Sequence, residues 1–232
     1  QTDIFPAIET GQIKGLWLVA TNPLTSMANQ ARIRKMMEKL DYLIVQDVYQ
    51  DVETTDYAHA YFPAAVWAEK QGCHTNTERR VNLTRNALKP YADSKSDYWI
   101  FNEMAKRFDN SKNMHFPEDT EEAFNEMKEL SKGEGRTLDI SGMSYDKIEK
   151  ARGIQWPCRD QEEPSISAEA DNESSMVKGE QRLYTDGKFQ TPDGKANLIS
   201  VNFIDNNETP DDEYPFWMNS GRVVEHFHTR TR

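Results

Sequence analysis

Cysteine is scarce in this chain: Cys73 and Cys158 are the only two among 232 residues. They form no Cys-x-x-Cys pair and no cluster spacing, which argues against an iron–sulfur or structural zinc site within these residues. A disulfide between them stays open, although such sparse usage fits a reducing compartment better. Long apolar runs are missing as well. None approaches the ~20 residues that cross a bilayer, so no membrane span is expected. The residues after Gln1 do not read as a secretory leader, which a fragment would in any case have lost. Basic charge is short: 28 Lys and Arg stand against 39 Asp and Glu, a formal net charge of -11. Nucleic-acid binding wants a basic face, so nucleic acid is not an expected partner. There is no Gly-x-Gly-x-x-Gly and no Walker loop, so the ordinary NAD, FAD and ATP fingerprints are absent. No Ser-His-Asp, thiol–imidazole or paired-carboxylate arrangement stands out at interpretable spacing.

What remains is enough for a core. Hydrophobic residues make up 37% of the chain, which suits one large domain or two modest ones. Residues 13–20 form a short apolar run that stops at Thr21-Asn22-Pro23, the pattern of a buried strand and a loop. Residues 29–40 carry Ile33, Met36, Met37 and Leu40 at helical spacing. Tyr42-Leu43-Ile44-Val45 predicts a second buried strand, ending in Gln46-Asp47. A third, irregular apolar stretch over 57–66 is broken by Pro63. Strand, helix, strand at this spacing is a βαβ unit, so an α/β fold with a parallel sheet and right-handed crossover is expected.

Three more helices follow. One covers 96–108, capped by Ser96, with Trp99, Ile100, Met104 and Phe108 as its apolar stripe. One covers 120–130, acidic at its start. One covers 144–151, with Gly153 just past its end. Residues 159–181 are acidic and Ser-rich, which marks a linker or exposed loop. Beyond it, Arg182-Leu183-Tyr184 and Lys188-Phe189 flank Thr185-Asp186-Gly187 like a hairpin, and Thr191-Pro192-Asp193-Gly194 reads as another turn. The last part is therefore expected to be β-rich.

Several places could carry chemistry. Open α/β sheets bind ligands outside the carboxyl ends of their strands. Asn22 follows the first strand; Gln46 and Asp47 follow the second. An acid there can accept hydrogen bonds from a ribose diol, or it can be a plain loop residue. The run from Trp67 to Arg80, with Lys70, Asn76 and Glu78-Arg79-Arg80, suits an anion such as a pyrophosphate, or is a solvated charged loop. Asp97 begins a helix, where its charge favours the dipole. The same carboxylate could accept two parallel hydrogen bonds from the N1–H and 2-amino groups of a guanine. Finally, Ser220, Gly221, Arg222, Val223, Val224, Glu225, His226, Phe227, His228 and Thr229 deliver many polar groups in a row after Tyr214-Pro215-Phe216-Trp217-Met218. On a strand His226 and His228 would share a face. No third or fourth metal ligand accompanies them, so hydrogen bonding to a heterocycle or phosphate fits better.

Taken in order, these pieces resemble one family. The strings are Leu16-Trp17-Leu18-Val19-Ala20-Thr21-Asn22-Pro23, Val45-Gln46-Asp47, Phe62-Pro63-Ala64-Ala65-Val66-Trp67-Ala68-Glu69-Lys70, Thr75-Asn76-Thr77-Glu78-Arg79-Arg80, and Gly221-Arg222 with His226-Phe227-His228-Thr229. They look like the molybdopterin oxidoreductases of the dimethyl-sulfoxide-reductase superfamily, and most like the catalytic subunits of bacterial assimilatory nitrate reductases. The resemblance implies a bis-molybdopterin guanine dinucleotide with molybdenum, and nitrate reduced to nitrite. It makes the chain an internal piece of a larger protein. Residues 1–158 would be part of a Rossmann-like domain, 159–181 a linker, and 182–232 a β-rich segment opening a C-terminal β-barrel domain. Asn22, Gln46, Asp47, Lys70 and Asp97 would hold the dinucleotide, with Asp97 on the guanine and Asp47 on a ribose. Residues 220–229 would line the pterin and its phosphates.

The family's N-terminal four-cysteine motif for a 4Fe-4S cluster is absent here, as is the part that supplies the molybdenum's protein ligand. No catalytic residue and no metal ligand is therefore assigned. The implied partners are nitrate and an electron-donor protein or subunit, with the cytoplasm as compartment and the periplasm as alternative. A formate dehydrogenase of the same superfamily is the nearest rival. A non-catalytic nucleotide-binding module with a βαβ core is the rival from another class.

Overall fold

The computed structural model describes residues 3–108, 116–133, 136–160, 179–206, 208–219 and 221. The chain divides into two compact units. One holds Gln1–Val45, Asp51–Ala60 and Asn197–Arg232; the other holds Gln46–Gln50 and Tyr61–Ala196.

The first unit opens with helix α1, Ile4–Glu9, which buries Phe5 and Ile8. Strand β1, Gly15–Val19, follows. The short helix α2, Pro23–Ser26, starts with proline at its first position, where the missing N–H does no harm. Helix α3, Gln30–Met37, begins at Asn29, whose side chain accepts from the Arg32 N–H while its backbone sits in the left-handed region. Ile33, Met36, Met37 and Leu40 are buried, as their spacing predicts. Strand β2 is Tyr42–Asp47, buried from Leu43 through Gln46. Strand β3 is Ala60–Pro63.

These strands form a three-stranded sheet in the order β1-β2-β3. His59 N–H donates to Leu43 O, and Ala64 N–H donates to Asp47 O. The partners ascend together, which is the parallel arrangement expected from the βαβ pattern. The division between the two units runs through β2 and β3.

The second unit contains a three-stranded sheet not foreseen from the sequence. Strand β4, Gly72–Thr75, pairs antiparallel with β5, Arg80–Thr84, and β5 pairs with β6, Ile154–Gln155. Helix α4, Asp97–Ala105, is capped by Ser96, whose hydroxyl accepts from the Trp99 N–H. Helix α5, Thr120–Ser131, is capped by Asp119. Helix α6, Tyr145–Ala151, is capped by Ser144 and closes on Arg152 and Gly153, both at positive φ. The core of this unit is Val81, Phe124, Ile140, Met143, Tyr145, Ile148, Ile154 and Cys158.

Three expectations change. The stripe of α4 is only partly covered: Ile100 is buried, while Trp99 and Phe108 stay 49% and 65% exposed. No disulfide joins Cys73 and Cys158. Beyond Gln155 no strand forms among the described residues. The turn at Tyr184–Gly187 and the turn at Thr191–Gly194 do form, each closed by a backbone hydrogen bond, but they are not flanked by strands. The reason is physical. A strand needs a neighbour for its backbone groups and one apolar face. Here Leu198, Val201, Phe203 and Ile204 are each at least 82% exposed, so the described residues give that face nothing to pack on.

Candidate functional site

The second unit brings three of the expected residues together. Gln46 lies at the end of β2 and is completely buried. Asp97 is the first residue of α4. Lys70 follows a 3-10 turn, Trp67–Glu69, held by the Glu69 carboxylate accepting from the Val66 N–H at 3.1 Å. The start of α4 is pinned against the end of β3 by Ala65 N–H to Lys95 O and Lys95 N–H to Pro63 O. A strand end and a helix N-terminus therefore meet at one place, where an α/β fold gathers ligand-binding groups.

There the Gln46 Nε2 donates to Asp97 Oδ1 at 2.8 Å. The Lys70 ammonium donates to the other carboxylate oxygen, Asp97 Oδ2. The pair is half-buried, with side-chain exposures of 30% for Lys70 and 26% for Asp97. The second atom of the Gln46 carboxamide, Oε1, is buried and has no hydrogen-bond partner. Reversing the amide would set an oxygen against the Asp97 carboxylate, so chemistry supports the orientation shown. An orphaned buried acceptor costs roughly 1–3 kcal/mol, which a donor arriving from a ligand would recover.

Asp47, next to Gln46, accepts the Tyr49 N–H at 3.2 Å through its side chain. Its backbone carbonyl accepts from Tyr61 Oη at 2.7 Å. Burial, with the Asp47 charge adding to it, pushes the Tyr61 phenol above its ordinary value. Two cavities open along α4. A polar one of about 590 Å³ is walled by Lys70, Lys95, Ser96 and Asn102 among others. An apolar one of about 400 Å³ is walled by Phe62, Pro63, Trp99, Ile100 and Met104. Asp97 walls neither.

Asn22 belongs to the first unit, and its side chain is already used. Its Oδ1 accepts from Thr54 Oγ1 at 2.5 Å, and its Nδ2 donates to Thr25 Oγ1 at 2.9 Å and Glu53 Oε2 at 3.2 Å. Its place in the chain was legible, but these partners, 31 or 32 residues on in two cases, were not. The expected anion loop from Trp67 to Arg80 contains the 3-10 turn, strand β4, the connection over 76–79 and the first residue of β5, and its arginines are hydrogen-bonded within the fold. Arg79 donates to the carbonyls of Trp156, Glu180 and Gln181, and its guanidinium lies 5.4 Å from the Trp156 ring centroid. Arg80 donates to Gly153 O at 3.0 Å. Ser220, Arg222, Val223, Val224, Glu225, His226, Phe227, His228 and Thr229 lie outside the described residues; Gly221 is described and exposed.

A sequence model of the molybdopterin oxidoreductases matches residues 3–107. The chain also aligns over 99% of its length, at 37% identity, with a nitrate reductase of Synechocystis sp.. The chain belongs to the molybdopterin oxidoreductase family. It is 32% identical over 98% of its length to the assimilatory nitrate reductase catalytic subunit of Bacillus subtilis. It is also 34% identical over 96% of its length to the alpha subunit of a formate dehydrogenase of Methanocaldococcus jannaschii. The chain spans about 30% of the length of each of these relatives. Among solved structures, acetylene hydratase from Pelobacter acetylenicus superposes with a TM-score of 0.51 at 24% identity, over 66% of this chain and 20% of that one. That likeness concerns the fold alone. The unpartnered Gln46 oxygen beside Asp97 and Lys70 is a buried acceptor in a polar setting that fits a polar group of the family's pterin cofactor.

Proposed function

We propose that this chain is part of the catalytic subunit of a molybdenum enzyme that reduces nitrate to nitrite, and that it holds one guanosine end of a bis-molybdopterin guanine dinucleotide. The reading rests on one observation above all: the buried carboxamide of Gln46 leaves an acceptor unfilled beside the Asp97 carboxylate. Asp97 accepts the N1–H and 2-amino groups of guanine. Asp47 accepts from a ribose hydroxyl, and Lys70 supplies a cation at the same end. Asn22 contributes by fixing the loop after β1, since its amide is bonded within that loop's surroundings. Residues 220–229 line the pterin and its phosphates. When bound, the molybdenum–pterin group supplies the oxygen-atom transfer; this chain supplies binding and orientation.

The architecture that goes with this reading is a Rossmann-like part over 1–158, a linker over 159–181, and a segment over 182–232 that opens a β-barrel completed elsewhere in the protein. The 4Fe-4S cluster, the electron donor and a cytoplasmic setting belong to that whole protein. The likeness to nitrate reductases from Synechocystis and Bacillus favours nitrate; the likeness to a formate dehydrogenase supports formate as the second reading. Cofactor-loaded full-length protein, assayed with a reduced dye and nitrate and then with formate and an oxidised dye, decides between them. Nitrite is the expected product. Formate oxidation without nitrite formation would overturn the nitrate reading.

A further inference from the structure

Leu43 is completely buried in β2, and its two backbone groups are paired unequally. In a parallel ladder the residues of a strand turn alternately to one neighbour and to the other. Tyr42 N–H donates to Lys14 O on the β1 side, so the backbone groups of Leu43 face β3. The Leu43 carbonyl accepts from the His59 N–H at 2.8 Å. The Leu43 N–H donates instead to the imidazole Nδ1 of His59, at 3.0 Å. A regular ladder would use the carbonyl of Tyr57, two residues before His59. Tyr57, however, ends a 3-10 turn, Glu53–Tyr57, and β3 begins only at Ala60. A side chain has taken the place of a backbone acceptor where the pairing of β2 with β3 begins.

That acceptor exists in one charge state of the ring. Neutral imidazole with its hydrogen on Nε2 offers a lone pair at Nδ1; imidazolium carries a hydrogen on both nitrogens and offers none. Protonation sets two donors against each other, and burial leaves the Leu43 N–H no other acceptor. His59 itself is exposed, so protons reach it. Its neighbours are Tyr42, whose ring lies 5.4 Å away and tilted by 31°, Asp41 and Lys14, which pair at 3.7 Å beside Tyr42, and Asp56 and Tyr57 just before it in the chain. Among these side-chain types only imidazole ordinarily changes charge between pH 5 and 8.

We propose that His59 is an acid-sensitive latch on the parallel sheet. The bond needs the neutral ring, so its contribution is complete above the imidazole range and is lost as pH falls through it. Acid thereby loosens the start of β2, the strand whose far end carries Gln46 and Asp47.

The test is hydrogen exchange of the full-length protein, read by mass spectrometry at pH 7.5 and 5.5 and corrected for the chemical exchange rate. Peptides covering 41–47 should lose about tenfold in protection at the lower pH, while peptides covering 72–84 keep theirs. His59→Asn places an uncharged acceptor near the position of Nδ1. It should hold protection within about threefold at pH 7.5 and show no loss in acid. His59→Phe keeps a ring against Tyr42 without an acceptor, and should be low at both pH values. An acid loss of the same size in His59→Asn, or none in the unaltered protein, overturns the proposal. So does full protection of His59→Phe at pH 7.5. Should His59→Asn fail to fold, His59→Gln, also an uncharged acceptor, serves in its place.

Discussion

Thr54 donates its hydroxyl hydrogen to Asn22 Oδ1 at 2.5 Å, joining a fully buried side chain on the turn after β2 to the cap of α2. The two residues are 32 positions apart in the chain. Thr54→Val keeps the shape and removes the donor, leaving Asn22 Oδ1 unpaired. Stability should fall by about 1–3 kcal/mol, read from the urea midpoint at unchanged slope. Thr54→Ser keeps the hydroxyl and should lose less. Equal losses in the two variants would show that the methyl packing, not the bond, matters.

Gly142 sits where no side chain fits. A Cβ there would lie 2.7 Å from the Arg159 carbonyl oxygen and 3.0 Å from that of Cys158. The backbone cannot easily yield, because Gly142 N–H already donates to Cys158 O at 2.8 Å. Gly142→Ala should destabilise the second unit by about 1–3 kcal/mol through overpacking. Thermal unfolding of the variant checks this; an unchanged midpoint would contradict it.

Arg152 ends α6 in the left-handed region, with φ at 52°. Its side chain is exposed. A residue with a Cβ is strained there by about 1 kcal/mol, and glycine is not. Arg152→Gly should therefore raise stability by about 0.5–1 kcal/mol. The same substitution at Lys150, inside the helix, should lower it by a similar amount.

Cys73 gives a pH dependence with a definite sign. Burial pushes its thiol from 9.0 to about 11, with a contact to the Tyr145 hydroxyl and the Arg85 charge opposing the rise. The folded value lies above the unfolded one. The contribution to stability is therefore complete below pH 9 and is lost as pH rises through 11. Part of the side chain remains in contact with solvent, so screening discounts the effect and the loss over that window is on the order of 1 kcal/mol. Tyr145 is shifted upward by burial as well and acts in the same direction. Unfolding free energies measured at pH 8, 9.5 and 11 should fall in that order. Thiol alkylation at pH 8 should be slow in the native chain and fast in denaturant.

The first unit was legible because its signals are local. Ile33, Met36, Met37 and Leu40 recur at the helical period, and the fold buries all of them. Ser96, Asp119 and Ser144 cap three helices with bonds that span only two or three residues. The same logic failed for the hairpin of β4 and β5. Its sequence is polar, and its strands exist because β6 and Trp156, more than 70 residues away, supply partners.

The candidate site divides along the same line. Gln46 and Asp97 could each be picked out singly, one from its place after a strand and one from its place at a helix start. Nothing in their spacing says that they touch, since 51 residues separate them. The likeness of motifs in order named the family, and the match over 3–107 agrees with it. Local capping placed the starts of α4, α5 and α6 to within one residue, because hydrogen bonds to near neighbours in the chain decide a helix start, while periodicity revealed β1, α3 and β2 without fixing their ends. Only the tertiary structure decided which polar groups are satisfied. It used up Asn22, Arg79 and Arg80 within the fold and left the Gln46 oxygen open beside Asp97, because satisfaction of a buried group depends on partners that folding alone brings within reach.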